Sequence, residues 1–285
     1  MIKTIKYFFE ALIIYIFFII IKLIGLSMSR RLFSLIFKKI GPTIKSNKII
    51  DKNLNIFSSQ LTEKQKTEIT EKMWSNYGKT FVEYMFLKKF QKDNLHIEVE
   101  NKEILKIISV EKRPVIFISG HFANFELMSM EITKNQVDLA TIYRPLNNFF
   151  LNPFMEYLRK KYVCNFQIKK GLLGVKESIN FIKKGHSIAL MVDQRLGEGD
   201  RVDFFKKKAH TTSLPAQLSL KYNLDIVPVY IKRNLNDTFK IKICNPIDTL
   251  KYKGKFELTL AINKIIEDMI SKNPDQWIWT HDRWK

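Results

Sequence analysis

Within the 285-residue chain, Gly120-His121-Phe122-Ala123-Asn124-Phe125-Glu126 joins an apolar run, Pro114–Ser119, to a stretch of helical pattern. Histidine exchanges protons near neutral pH, and a carboxylate beside it fixes its tautomer. His121 and Glu126 are five positions apart, which in a continuous helix would turn them about 140° away from one another. For the two to touch, His121 must sit on the loop, with Gly120 giving backbone room and Glu126 in the first helical turn. The expected arrangement is a base–orienter dyad, one imidazole N–H given to the carboxylate and the other ring nitrogen facing substrate. The helix dipole alone would also favour a carboxylate there. No nucleophile accompanies the pair. The chain has no G-x-S-x-G elbow and no Walker A loop, and Gly197-Glu198-Gly199 lacks the third glycine of a dinucleotide site. A base without a protein nucleophile points to activation of a substrate hydroxyl. Asp193 closes another apolar run, where an unpaired carboxylate is costly, and is expected to pair with Arg159 or Arg195. His96, His186, His210 and His281 lie in polar or terminal contexts and read as surface or hydrogen-bonded residues, His186 and His281 being dispensable.

Short apolar runs that read as buried strands must position these groups: Pro114–Ser119, Val137–Tyr143, Ser187–Asp193 and Asp225–Ile231. Helical patterns lie near Asn124–Thr133, Phe149–Lys161, Leu173–Lys183 and Leu214–Tyr222, and a final pair follows at Thr238–Cys244 and Phe256–Ser271. A longer helix is expected over Glu63–Lys89, with Ile69, Met73, Tyr77, Phe81 and Tyr84 on its apolar face. The alternation predicts an α/β fold, a mostly parallel sheet flanked by helices. In such sheets the functional loops follow the carboxyl ends of strands, where His121 and Asp193 stand.

Composition narrows the classes. Forty-eight Lys and Arg against 28 Asp and Glu leave +20, and 39 of the 48 are lysine. The dispersed lysines, with no RNP or zinc signature, argue against a nucleic-acid partner. Two cysteines, Cys164 and Cys244, make no disulfide framework and no metal cluster, so neither metal nor other cofactor is expected. From Ile5 to Leu26 the chain is apolar apart from Lys6, Glu10 and Lys22, and unbroken from Ala11 to Ile21. A weak transmembrane anchor and a deep interfacial helix both fit this N-terminal membrane-anchoring helix. The basic residues that follow, Arg30, Arg31, Lys38 and Lys39, put the body of the protein in the cytoplasm. Ser29–Ile40 suits either an amphipathic helix on the membrane or a core helix. The expected division is an anchor over 1–28 and one α/β domain over 29–285.

The order GHFANFE, YRPLNN (Tyr143–Asn148), Arg159-Lys160, VDQR (Val192–Arg195), FFKKKAHTTS (Phe204–Ser213) and the closing QWIWTHDRWK resembles the lipid A biosynthesis late acyltransferases. These are the lauroyl and myristoyl transferases of the lysophospholipid acyltransferase superfamily. Phe125 stands where a Trp is common, and Asp282 interrupts a usually more basic ending. The resemblance implies transfer of a fatty acyl group from an acyl carrier protein thioester to a hydroxyl of an anionic glycolipid, at the cytoplasmic face of the bacterial inner membrane. His121 and Glu126 would be catalytic. Arg159, Asp193, Arg144 and Asn124 would bind substrate or support the site, Arg159 by meeting the oxyanion or a phosphate. An enzyme of the same superfamily acting on a phospholipid, an aminolipid or a mannosylated lipid shares these residues and stays open.

Overall fold

The computed structural model describes residues 2–197 and 199–285, so Met1 of the expected anchor segment and Glu198 lie outside the described residues. The apolar runs form strands because they are too short for helices and alternate between two buried faces. In chain order these are β1 (Ile97–Glu100), β2 (Ile116–Ser119), β3 (Leu139–Tyr143), β4 (Phe166–Lys169), β5 (Ser187–Met191), β6 (Asp200–Phe204), β7 (Lys207–Thr211), β8 (Ile226–Arg233) and β9 (Phe239–Ile243). Seven make one sheet in the order β1-β9-β8-β2-β5-β3-β4, while β6 and β7 form a separate antiparallel hairpin. Every pair in the large sheet is parallel except β8 with β9. The α/β architecture is therefore as expected, with β1, β4 and the hairpin additional to the runs read from sequence.

The helices are α1 (Ile2–Ile24), α2 (Leu26–Ile44), α3 (Asn47–Phe57), α4 (Glu63–Glu83), α5 (Leu87–Lys92), α6 (Lys102–Glu111), α7 (Glu126–Lys134), α8 (Asn152–Tyr162), α9 (Leu172–Lys183), α10 (Leu214–Tyr222) and α11 (Lys255–Lys272). Alternate strand residues face two cores. Phe117, Ala189 and Val227 meet α5, α7 and α8 on one side, and Ile116, Ile188 and Leu190 meet α9, α10 and α11 on the other. The long helix begins where Thr62 and Gln65 cap each other's backbone. It ends at Glu83, short of Lys89; a single 3₁₀ turn, Tyr84–Phe86, then leads into α5.

At the amino end, α2 lies against α4 so closely that a Cβ on Gly78 would fall 2.2 Å from the Phe33 carbonyl oxygen. Ser29–Ile40 lies within α2 and is amphipathic. Phe33 and Ser34 are core residues, whereas Leu32, Leu35 and Ile40 face outward. Helix α1 buries Ala11, Phe18 and Ile21 and exposes Phe8, Phe9, Leu12, Ile16 and Ile19 on its other side. Among the described residues it is the one helix long and apolar enough to cross a membrane.

Candidate active site

Parallel register brings the site together. Ser119 of β2 is paired with Met191 of β5, so two residues beyond each strand His121 and Asp193 emerge side by side. The His121 Nδ1 lies 2.8 Å from Asp193 Oδ1, and the His121 backbone N–H donates to Oδ2 at 2.8 Å. Trp277 supplies a third contact, its indole N–H donating to Oδ2 at 2.7 Å. The Asp193 side chain is wholly buried. Burial pushes its carboxyl up, but the attraction of His121 and the hydrogen bonds from His121 and Trp277 outweigh that and hold it below its ordinary value. A carboxylate so placed accepts the Nδ1 proton, leaving the Nε2 lone pair free as a base. The Gln194 amide nitrogen stands 3.4 Å from Nε2, a long contact, and the Phe125 ring meets the imidazole edge-on at 4.7 Å. Gly120 is required by closeness: a Cβ there would lie 2.7 Å from the Phe122 ring and 3.3 Å from the Asp193 carboxyl carbon.

The expected His121–Glu126 contact is not formed, and Asp193 pairs with neither Arg159 nor Arg195. Glu126 opens α7 and turns to Arg159 of α8, which donates from Nε to Glu126 Oε1 at 2.8 Å and brings Nη2 into ion-pair contact at 2.7 Å, while the Tyr84 hydroxyl donates to the same oxygen at 2.7 Å. The reason is electrostatic. A buried carboxylate gains more from a guanidinium and a hydroxyl than from an imidazole that the sheet has already delivered to another acid. Burial lowers the proton affinity of Arg159, but the Glu126 charge and the Tyr84 hydroxyl more than reverse this. Burial, followed by the Glu126 charge, raises the Tyr84 hydroxyl well above its usual value. Arg159 also lies between the Tyr84 and Tyr143 rings, and its Nη1, buried, has no protein partner.

The supporting residues divide. Asn124 is buried and donates its amide to Glu83 Oε2 at 2.9 Å, whereas Arg144 is exposed at the carboxyl end of β3. Trp277 and Glu83 were missed in the sequence; the signal available for Trp277 was that a buried indole N–H needs an acceptor. Trp277, Trp279 and Trp284 are all buried, so the carboxyl terminus packs the core. His281 is a hydrogen-bonded residue, as one of its two readings expected: its Nε2 accepts the Arg195 backbone N–H at 2.9 Å, pinning the chain just after Asp193. Burial lowers its proton affinity, keeping it a neutral acceptor. A cavity of 420 Å³ bordered by Val137, Lys160, Cys164 and Phe166 lies by the amino ends of β3 and β4, at the edge opposite His121. Among the described residues no three His, Cys, Asp or Glu side chains are grouped to hold a metal ion.

Residues 2–285 match the family described as bacterial lipid A biosynthesis acyltransferase. The chain is 23% identical over 245 residues to the lipid A biosynthesis lauroyltransferase of Escherichia coli (strain K12), a span of 84% of this chain and 78% of that protein. It is 25% identical over 194 residues to the lipid A biosynthesis palmitoleoyltransferase of the same strain, 66% of this chain and 61% of that protein. A lipid A biosynthesis acyltransferase of Shigella flexneri is similar to the same extent.

Proposed function

Because the chain belongs to the bacterial lipid A biosynthesis acyltransferase family, and so is an acyltransferase acting on a lipid A precursor, we propose that it moves a fatty acyl group from an acyl carrier protein thioester to a precursor hydroxyl, with His121 as general base. The observation that carries this reading is the buried Asp193 carboxylate on His121 Nδ1. His121 Nε2 takes the hydroxyl proton as the oxygen attacks the thioester carbon, and Asp193 stabilises the imidazolium. Collapse of the tetrahedral intermediate breaks the carbon–sulfur bond, and the imidazolium returns the proton to the departing thiolate. Glu126 acts on Arg159, holding the guanidinium so that its unpartnered Nη1 meets an anionic oxygen of the substrate. Arg144, exposed at the same sheet edge, takes part in binding the anionic acceptor.

Residues 1–28 form the anchor and 29–285 the catalytic domain, at the cytoplasmic face of the inner membrane. Contacts from α1 to the domain run along its length. The Tyr7 carbonyl accepts from Asn148 at 2.8 Å, the Tyr15 hydroxyl donates to the Phe150 carbonyl at 3.0 Å, and Phe18 stacks on Phe81. A helix flanked by its own domain over that length lies in the interface with its apolar outer face in lipid, although about 34 Å of helix would suffice to span. Mass spectrometry of lipid A from cells with and without the protein tests the function: loss of one acyl chain is expected. Unchanged lipid A, with altered phospholipid instead, would replace the acceptor.

A further inference from the structure

Helix α4 presents Asn76, Thr80 and Glu83 along one face, spaced four and three apart, and all three reach towards the turn that carries His121. That turn contains one strained residue, Ala123, whose φ of 44° lies in the left-handed region disfavoured for any residue with a Cβ. Both of its peptide groups are held. The Ala123 N–H donates to the Gln276 carbonyl at 3.0 Å, and its own carbonyl accepts from Thr80 Oγ1 at 3.0 Å and Asn76 Nδ2 at 3.4 Å. The next residue is Asn124, tied to Glu83.

The helix face is itself fixed by Arg233, at the carboxyl end of β8. Its guanidinium donates to Asn76 Oδ1 at 2.9 Å, to Thr80 Oγ1 at 3.3 Å and to both oxygens of Glu83, at 3.0 Å for Oε2. Arg30 of α2 adds a donor to Glu83 at 2.7 Å. The Glu83 side chain is completely buried and both arginines nearly so. Removing one partner of such a group leaves uncompensated charge in a dry interior.

We propose that Thr80, Glu83 and Arg233 are positioning residues for the acyl transfer: they hold the left-handed turn at Ala123, and through it the aim of His121 at Asp193. This rests on His121 being the base. A polar network whose members touch neither His121 nor Asp193 thus acts on catalysis by placing backbone, and through Arg30 it joins α2 to the reacting loop.

The deciding variants are Thr80→Val, which keeps shape and loses the hydroxyl, and Thr80→Val with Ala123→Gly, since glycine adopts positive φ without the Cβ penalty. Glu83→Gln is a third, expected to be the most impaired. The full-length protein in detergent is assayed with lauroyl acyl carrier protein and a tetra-acylated lipid A precursor. His121 is followed independently, without substrate, by its rate of diethyl pyrocarbonate modification in peptide mass spectra. Thr80→Val should lose roughly ten- to a hundredfold in kcat at unchanged KM and alter the His121 modification rate. Adding Ala123→Gly should restore most of both. A folded Thr80→Val protein whose His121 modification matches the parent overturns the proposal, as does a loss that Ala123→Gly leaves untouched. Should the parent transfer no acyl group while the modification rates respond as stated, the positioning stands and the assigned reaction falls.

Discussion

Replacing Asp193 by Asn changes one atom type in a site where all three contacts are donors, so its consequence follows from counting. The carboxylate receives the His121 Nδ1 proton on Oδ1 and the His121 and Trp277 N–H groups on Oδ2. An amide can keep its oxygen towards the latter two, which puts its NH2 group against Nδ1. The opposite orientation would set NH2 against two fixed donors, a clash that no tautomer change relieves. In the preferred orientation Nδ1 must accept, the ring proton moves to Nε2, and the lone pair proposed to take the substrate proton is gone. The expected loss is about 10²–10⁴-fold in kcat, or roughly 3–5 kcal/mol of barrier. Folding should survive, since the side-chain shape is kept and the cost is that of one altered buried hydrogen bond, about 1–3 kcal/mol. The measurement is acyl transfer by the detergent-solubilised variant, with circular dichroism as the check on fold. Turnover of Asp193→Asn within threefold of the parent would show that the imidazole does not need the carboxylate.

Glu126→Gln should impair transfer less than Arg159→Ala, because Tyr84 still meets the guanidinium when the charge is lost, whereas Arg159→Ala removes the unpartnered Nη1; equal activity of parent and Arg159→Ala would contradict this. His281 supplies a pH test. Its proton affinity is lowered by burial, so the stability it lends is complete above its unfolded value of about 6.5 and is lost as pH falls from there through the folded value. His281→Gln should flatten the fall in urea midpoint between pH 7 and 5, and identical slopes would rule the effect out. Deleting residues 1–24 should move the protein towards the soluble fraction, while Cys introduced singly at Phe9 and Ile16 in a cysteine-free background should both react with lipid-soluble maleimides; selective labelling of one end would favour a spanning helix.

Strands and helices with strong local patterns were legible in the chain. Leu214–Tyr222 is a helix at the expected bounds, and β2, β3 and β5 fall inside the runs assigned to them. Elements with weak patterns were not: among their residues β4 buries only Ile168 and β1 only Ile97, so neither shows the continuous apolar run of a central strand. The site was half legible. His121 and Asp193 were both picked out at strand ends, but their partnership depends on β5 lying beside β2, a non-local fact that spacing within one segment does not carry. Nearness in sequence points to Glu126 as the orienter. Its true partner, Arg159, sits 33 residues away on a neighbouring helix. Likewise Trp277 meets Asp193 across 84 residues.

In the proposed reaction the imidazole of His121 takes the proton of the attacking hydroxyl. The most direct measurement is single-turnover acyl transfer by His121→Ala, from a purified acyl carrier protein thioester to a purified lipid A precursor, with donor binding measured alongside. The expected result is a folded protein that binds the thioester nearly as the parent does and transfers about 10²–10⁴-fold more slowly. A folded His121→Ala enzyme that transfers at the parent rate would contradict it.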